Sequence, residues 1–234
     1  MRALIFWDID GTLLTSQGLT ERILRQVIVE VYGPSPALAQ LAMSGKTDQQ
    51  IICEAHPERP AAELLAALPA FTSAYLARLD AERATLRRMG KVLDGVLPAL
   101  IGLSAAGALQ SVITGNLQPV ARYKIELFGL VPYLDLRVGA YGSDHADRTR
   151  LLPIALGRLA AHQIAVPSRV VVIGDTPADI AGGRAGGART IGVATGDWSV
   201  AQLAAANADV VLSSLYDTAL TLAGVLGTDA ERGA

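Results

Sequence analysis

Residues 3–14 read ALIFWDIDGTLL, and this stretch indicates how the rest of the chain is organised. The five apolar residues from Ala3 to Trp7 are enough for one buried strand, which ends at Asp8. Asp10 follows two positions later, and side chains at i and i+2 of a strand point to the same side. If the strand geometry persists, the two carboxylates converge on one small volume, where they need a cation or a shared proton. The alternative is a strand that ends in an ordinary acidic turn, because Asp and Gly are common turn residues.

The composition is that of a globular chain without an evident nucleic-acid or membrane partner. Of 234 residues, 51% are apolar and 18% charged, and the formal net charge of −2 comes without a basic stripe. The most apolar region, residues 92–109, is interrupted by charged, Pro and Gly residues, which makes it a poor membrane span. The N-terminus reaches Asp8 too soon for a signal-peptide core, and Cys53 is the single cysteine. We therefore expect a soluble protein of the reducing cytoplasm.

After the opening strand, the sequence divides into two blocks. Between residues 15 and 90, apolar residues recur at helical spacing and no convincing strand is present, which predicts a helical insertion with its own small core. From residue 91 onwards, short apolar runs alternate with helical segments, which predicts an α/β fold with a doubly wound parallel sheet. The further strands are predicted at 111–113, 136–138, 169–173, 190–193 and 209–212.

Polar residues follow two other predicted strands at the points where those strands end. Thr114, Gly115 and Asn116 come after one strand, and Asp175 and Asp179 lie just beyond another. Each group by itself could be a helix N-cap. However, ligands of open parallel sheets bind beyond the carboxyl ends of the strands, and three strands here deliver acids, hydroxyls and glycines to that edge. The pattern favours a binding site there.

The four acids at this edge indicate the kind of site. Asp8, Asp10, Asp175 and Asp179 form an oxygen-rich set that suits Mg²⁺, and the absence of His and Cys at these strand ends disfavours zinc. Thr114, Asn116 and the neighbouring backbone N–H groups offer donors for phosphate oxygens. The sequence therefore predicts a magnesium and phosphate site.

With these residues in place, the chain resembles the haloacid dehalogenase superfamily. It is most similar to the phosphoglycolate-phosphatase-like and β-phosphoglucomutase-like branch with a helical cap. The first motif of that superfamily matches residues 8–13, the second matches Thr114, and the fourth matches residues 174–179. The resemblance covers essentially the whole length. It implies a Rossmann-like core formed by residues 1–14 and 91–234, with an α-helical cap domain at residues 15–90.

The third motif departs from the superfamily pattern. The superfamily usually places a lysine before the helix that precedes the fourth motif, whereas residues 142–150 read GSDHADRTR. We assign the missing cation to Arg148, with Arg150 as the alternative, because arginine stays charged and can grip phosphate in a fork. The other possibility is that both arginines are solvated at a helix start. Lys124, in the helix after Thr114, is interpreted as a surface or structural residue.

The resemblance also implies a mechanism. Asp8 is the nucleophile that becomes an aspartyl-phosphate, and Asp10 is the general acid and base. Mg²⁺ is held by the side chains of Asp8, Asp175 and Asp179 and by the main-chain carbonyl of Asp10. The phosphoryl oxygens are held by Thr114, Gly115, Asn116 and Arg148. The predicted function is Mg²⁺-dependent hydrolysis of a small-molecule phosphate monoester.

Substrate choice is predicted to lie in the cap. Lys46, in a turn between two cap helices, can meet an anionic end of the substrate or can be an ordinary surface residue. The expected partner is a small phosphorylated molecule, and the expected state is a monomer or a homodimer. Three alternatives stay open: a haloacid dehalogenase, a phosphomutase, and a non-catalytic or phospho-accepting regulatory domain.

Overall fold

The computed structural model describes residues 1–227, and a six-stranded parallel sheet lies at its centre. In chain order the strands are β1 (Ala3–Trp7), β2 (Leu14–Thr15), β3 (Lys91–Val92), β4 (Ala108–Thr114), β5 (Ala140–Tyr141), β6 (Val170–Gly174), β7 (Arg189–Val193) and β8 (Val210–Leu212). The sheet has the order β5-β4-β1-β6-β7-β8, while β2 and β3 form a separate antiparallel ribbon. This architecture confirms the predicted α/β fold with a doubly wound, Rossmann-like parallel sheet.

Helices connect the strands and cover both faces of the sheet. They are α1 (Leu19–Tyr32), α2 (Pro36–Gln40), α3 (Asp48–Ala55), α4 (Ala61–Ala66), α5 (Leu68–Ala81), α6 (Arg83–Met89), α7 (Val96–Ala105), α8 (Gln118–Leu127), α9 (Leu151–Ala161), α10 (Pro177–Ala185), α11 (Val200–Ala205) and α12 (Thr218–Leu226). A short 3-10 helix, Arg148–Arg150, leads directly into α9. None of the helices in residues 1–227 is long and apolar enough to cross a membrane.

Strand β1 lies inside the sheet, between β4 and β6, and both of its faces are buried. Its alternate side chains Ala3, Ile5 and Trp7 pack in one apolar cluster together with residues of α7, α8 and α12. Leu4 and Phe6 point the other way and pack with residues of α9. All five residues of the strand are fully buried, which is why the run is continuously apolar rather than alternating.

Helices α1 to α6 form the helical block and have their own apolar cluster, which includes Phe71 and Tyr75. That cluster also takes in Leu117, Val120 and Leu127, which lie before and within α8 of the sheet block. The apolar core of this helical block, called the cap below, is thus continuous with α8 rather than separate from it. The β2–β3 ribbon lies where the chain enters and leaves the helical block.

One predicted strand is wrong. Residues 136–138 are not a strand, and the edge strand is β5, two residues further on. The Asp135 carboxylate accepts a hydrogen bond from the backbone N–H of Arg137 at 3.1 Å, which is the local bonding of a turn. Leu136 and Val138 are buried on either side of that turn, so their alternation imitates a strand. Residues 228–234 of the predicted core lie outside the described part of the chain.

Candidate active site

The carboxyl ends of three neighbouring strands bring the predicted site residues together. Strand β1 lies between β4 and β6, so Asp8 after β1 is flanked by Thr114 at the end of β4 and by Asp175 after β6. The backbone N–H of Asp8 still donates to the carbonyl of Ile173 at 2.9 Å, so Asp8 continues the parallel ladder. The sheet therefore fixes the Asp8 carboxylate at its buried edge.

Three of the four predicted acids form one cluster. Asp8, Asp175 and Asp179 each have a carboxylate oxygen within 4.8 Å of the other two, and all three residues are buried. The Thr12 hydroxyl donates to Asp175 at 2.9 Å, and the backbone N–H of Thr176 donates to Asp179 at 3.0 Å. The acids are thus held by neighbouring donors as well as by burial.

The residue after Asp10 must be a glycine because the backbone passes very close to this acidic cluster. Gly11 has a φ of +83°, which is a conformation that residues with a side chain rarely adopt. A Cβ at this position would also overlap the Asp175 carboxylate. The turn that follows β1 can therefore pass the acidic cluster closely only with glycine here.

Arg148 lies among the acids and provides their positive charge. Its Nη2 is 2.9 Å from Oδ1 of Asp8, and the same nitrogen also pairs with Asp179. The side chain is 7% exposed, whereas Arg150 is exposed to solvent. Burial alone would lower the pKa of the Arg148 guanidinium, but the facing carboxylates of Asp179 and Asp8 raise it above its ordinary value. Of the two candidate arginines, the structure brings Arg148 to the acids.

The negative charge of the cluster is only partly compensated. Burial raises the pKa of Asp8 to about 7; the nearby Arg148 opposes this effect, while Asp179 and Asp10 add to it. Burial also raises the pKa of Asp175 well above its usual range, again with help from Asp179 and Asp8. A bound divalent cation would relieve this repulsion, and three hard oxygen ligands at this spacing are suitable donors for one.

The carboxylate of Asp10 lies outside the acidic cluster. Its Oδ2 accepts a hydrogen bond from Nδ2 of Asn116 at 2.8 Å and pairs with Nζ of Lys124 at 2.6 Å. The side chain of Asp10 is 38% exposed and lines the site cavity, whereas that of Asp8 is almost completely buried. The two acids of the first motif are therefore held by different partners in different surroundings.

Lys124 is the site residue that sequence reasoning missed. It is 3% exposed, and its ammonium contacts both Asp10 and, at 2.7 Å, Oδ1 of Asn116. Of the two interpretations given to Lys124, surface or structural residue, the surface one is therefore wrong. The sequence did carry one signal. Lys124 falls on the buried face of α8 together with Val120, Ala121 and Ile125, where a lysine needs a buried partner.

Residues 114–116 span the last residue of β4 and the start of the loop that leads to α8. Thr114 is buried, and its hydroxyl oxygen accepts a hydrogen bond from Nδ2 of Asn116 at 2.9 Å. A Cβ on Gly115 would overlap the carbonyl oxygen of Lys46, so only glycine fits against the cap here. The carbonyl of Gly115 accepts a hydrogen bond from the backbone N–H of Asp48 at 2.8 Å.

The cap contributes residues 44–49, which we call the cap segment, to the site. Thr47 donates its hydroxyl proton to the carbonyl of Ala146 at 2.6 Å and also caps α3 by accepting from the N–H of Gln50. Burial raises the pKa of Asp48 to about 6, although the Leu117 N–H and the charge of Lys124 oppose this effect. The cap segment is thereby anchored to the loops of the sheet block.

Lys46 lines the cavity but is already paired. Its ammonium is 2.5 Å from a carboxylate oxygen of Glu54, on the cap helix α3. The cavity has a volume of about 530 Å³ and is bordered by both the sheet block and the cap. Its lining includes Asp8 and Arg148 from the sheet block and Met43, Lys46 and Tyr75 from the cap. That volume holds a phosphate together with a small organic group.

A comparison with known families agrees with this geometry. The family model of haloacid dehalogenase-like hydrolases matches residues 5–184. The chain belongs to the haloacid dehalogenase-like hydrolase family. The matched region of this haloacid dehalogenase-like hydrolase extends from β1 through the cap to α10, and so contains all the site residues described above.

The individual proteins that this chain resembles share less than a third of its residues in the aligned region. The tyrosine-protein kinase PtkA of Mycobacterium tuberculosis is 28% identical over 196 residues; the match covers 82% of this chain and 62% of that relative's length. The phosphoglycolate phosphatase of Xylella fastidiosa is 28% identical over 185 residues, with 78% of this chain and 76% of the relative covered. A solved haloacid dehalogenase hydrolase from Entamoeba histolytica shares the fold, with a TM-score of 0.70 at 18% identity, over 97% of this chain and all of that one.

Proposed function

We propose that this hydrolase is a Mg²⁺-dependent phosphatase that cleaves a small-molecule phosphate monoester through an aspartyl-phosphate on Asp8. The observation that carries the proposal is the separation of the two acids of the first motif. Asp8 is buried beside Arg148, whereas Asp10 is held apart by Asn116 and Lys124 and faces the cavity. The similarity to a phosphoglycolate phosphatase supports the same class of reaction.

In the first step, a carboxylate oxygen of Asp8 attacks the phosphorus and the bond to the ester oxygen breaks. Asp10 gives its proton to that oxygen, so the leaving group departs as an alcohol while the phosphoryl group stays on Asp8. In the second step, water attacks the phosphorus of the aspartyl-phosphate and gives a proton to Asp10. The Asp8–phosphorus bond breaks, inorganic phosphate leaves, and both carboxyl groups return to their starting states.

Mg²⁺ would be held by Asp8, Asp175 and Asp179, with the main-chain carbonyl of Asp10 as a further ligand. When bound, it supplies positive charge that screens the Asp8 carboxylate from the phosphate dianion. The side chain of Asp10 is not in the acidic cluster, so we do not assign it as a side-chain ligand.

The transferring phosphoryl oxygens would be held by Arg148, the Thr114 hydroxyl and the loop at Gly115 and Asn116. Arg148 suits this role because its Nη2 already contacts Asp8 at 2.9 Å, which leaves the rest of the fork beside the nucleophile. The Thr114 oxygen accepts from Asn116 and can therefore donate its own proton to the phosphate.

The cap would select the leaving group. Lys46 can meet an anionic substrate only by leaving Glu54, since the two side chains pair at 2.5 Å. Both are partly exposed, and an exchange of this kind costs little because such pairs contribute only about 0–1 kcal/mol. We expect the protein to act in the cytoplasm, as a monomer or a homodimer.

A second candidate is phosphoryl transfer from Asp8 to an acceptor other than water. It is favoured by the relative that is named a tyrosine-protein kinase, and a phosphomutase would follow the same route. A dehalogenase is less consistent with the site, because a halide leaves without protonation and gives Asp10 no task in the first step.

The test is release of inorganic phosphate from a panel of phosphorylated metabolites and one activated aryl phosphate, with Mg²⁺ and with EDTA. We expect Mg²⁺-dependent release that EDTA abolishes and added Mg²⁺ restores. Transfer to an added alcohol in place of water would favour the second candidate. No release from any substrate, the aryl phosphate included, would contradict the proposal.

A further inference from the structure

The ammonium of Lys124 is buried in the wall of the site. Its Nζ is 2.6 Å from Oδ2 of Asp10 and 2.7 Å from Oδ1 of Asn116. A lysine ammonium in such a position has lost its water, so protein groups must bind it instead. A buried ion pair is a weak source of stability, because well-packed apolar residues of similar volume often serve as well or better. Its presence beside Asp10 therefore calls for another explanation.

The contacts of Lys124 restrict Asp10 in a specific way. Among residues 1–227, two side chains donate to the Asp10 carboxylate, Lys124 and Asn116, and both bind the same oxygen, Oδ2. The two donors also bind each other, which fixes the orientation of the Asn116 amide. The second oxygen of Asp10, Oδ1, is therefore the one that can exchange a proton, and the carboxylate lines the cavity.

We infer that Lys124 is a positioning residue for Asp10, which together with Asn116 fixes Oδ2 and presents Oδ1 to the ester oxygen and later to water. The inference rests on the proposed function, since it assigns Asp10 the proton transfers. In both steps the proton moves on Oδ1, while Oδ2 accepts two hydrogen bonds throughout. Lys124 acts through Asp10 and Asn116 in this arrangement, because its ammonium is bound to both.

The same network extends to the phosphate side of the site. Nδ2 of Asn116 donates to Asp10 and to the Thr114 hydroxyl oxygen, at 2.8 and 2.9 Å. Because Lys124 donates to Oδ1 of Asn116, a 180° flip of the amide would lose the hydrogen bonds of both its oxygen and its nitrogen. One lysine thus orients both the acid and the hydroxyl next to it.

A double-mutant cycle tests this inference. Lys124→Met keeps the length of the side chain and removes its charge, and Asp10→Asn removes the proton transfer. With p-nitrophenyl phosphate and Mg²⁺, we expect Lys124→Met to lower kcat by about 10- to 100-fold, which is part of the usual effect of acid–base catalysis, with KM almost unchanged. In the Asp10→Asn background, the same change should cost almost nothing further, because its effect passes through Asp10.

Three further measurements separate the possible outcomes. Arg122→Met removes an exposed cation from the same helix and should leave kcat unchanged. Thermal unfolding shows whether Lys124→Met folds; if it does not, Lys124→Arg, which keeps the charge but displaces it, is taken through the same cycle. Equal losses of kcat with and without Asp10 would overturn the inference. Inactivity of the wild-type protein would instead overturn the proposed function.

Discussion

At the scale of single residues, Arg148 has the largest predicted effect on stability. Removing its charge leaves Asp8 and Asp179 buried without their cation. We expect Arg148→Met to lower the free energy of unfolding by about 3–5 kcal/mol in EDTA, the usual cost of breaking a buried pair. Arg150→Met, at an exposed position, should change it by less than about 0.5 kcal/mol. Urea unfolding measures both, and equal effects would contradict the assignment of Arg148.

Residues of the site could be predicted from the sequence where their role is local. Asp8 and Asp10 are two positions apart at the end of one apolar run, and that pattern is complete within the first motif. Lys124 was missed because its partner, Asp10, is 114 positions away and meets it only when α8 packs against the sheet. The choice between Arg148 and Arg150 likewise depends on which side of one helical turn is buried.

At the scale of elements, the contact between the cap segment and the β4–α8 loop should be essential for activity. Gly115→Ala would push its Cβ into the carbonyl oxygen of Lys46 and so displace the cap segment from the site. We expect kcat/KM to fall by about 10²-fold, which is typical when positioning groups shift by about 1 Å. Steady-state kinetics on an aryl phosphate measures this loss.

The matched control is Gly157→Ala, in the exposed part of α9. A Cβ at Gly157 meets no atom within 4 Å, and alanine is the better helix former. This change should raise the free energy of unfolding by about 0.5–1 kcal/mol and leave kcat/KM unaltered. If Gly115→Ala behaved in the same way, the close packing of the cap segment would have no functional role.

Elements with a strong apolar pattern agree closely with their predicted positions: the strands predicted at 169–173 and 190–193 are β6 (Val170–Gly174) and β7 (Arg189–Val193). The strand predicted at 136–138 failed because a turn stabilised by Asp135 buries alternate residues just as a strand does. The cap has an apolar cluster of its own, as expected, and Leu117, Val120 and Leu127 of the sheet block join that cluster. Sequence periodicity reveals that a face is apolar without revealing which element covers it.

At the scale of the whole molecule, stability should depend on pH through the buried acids. The pKa of Asp8 rises from 3.8 to about 7 on folding, so between those values the folded protein holds a proton that the unfolded chain releases. In EDTA, the free energy of unfolding should therefore fall as pH rises from about 4 to about 7. Asp175 and Asp48 have raised pKa values and act in the same direction.

Mg²⁺ should reverse this loss, because it binds the deprotonated carboxylates. We expect Mg²⁺ to raise Tm more at pH 8 than at pH 5, where Asp8 is protonated. In Asp8→Asn the Mg²⁺ effect should shrink at pH 8, since one ligand has lost its charge. Calorimetry at the two pH values measures these shifts. An equal rise of Tm at both pH values would speak against a metal at the acidic cluster.

The central claim is that Asp8 is the nucleophile, and the most direct measurement is phosphate release by Asp8→Asn. The amide has nearly the shape of the carboxylate, so the fold should persist, which thermal unfolding verifies. With saturating Mg²⁺ and an aryl phosphate, we predict that kcat falls by at least about 10⁴-fold, as expected when a covalent nucleophile is removed. A kcat within about tenfold of the wild-type value would contradict the aspartyl-phosphate mechanism, because the reaction would then proceed without the Asp8 nucleophile.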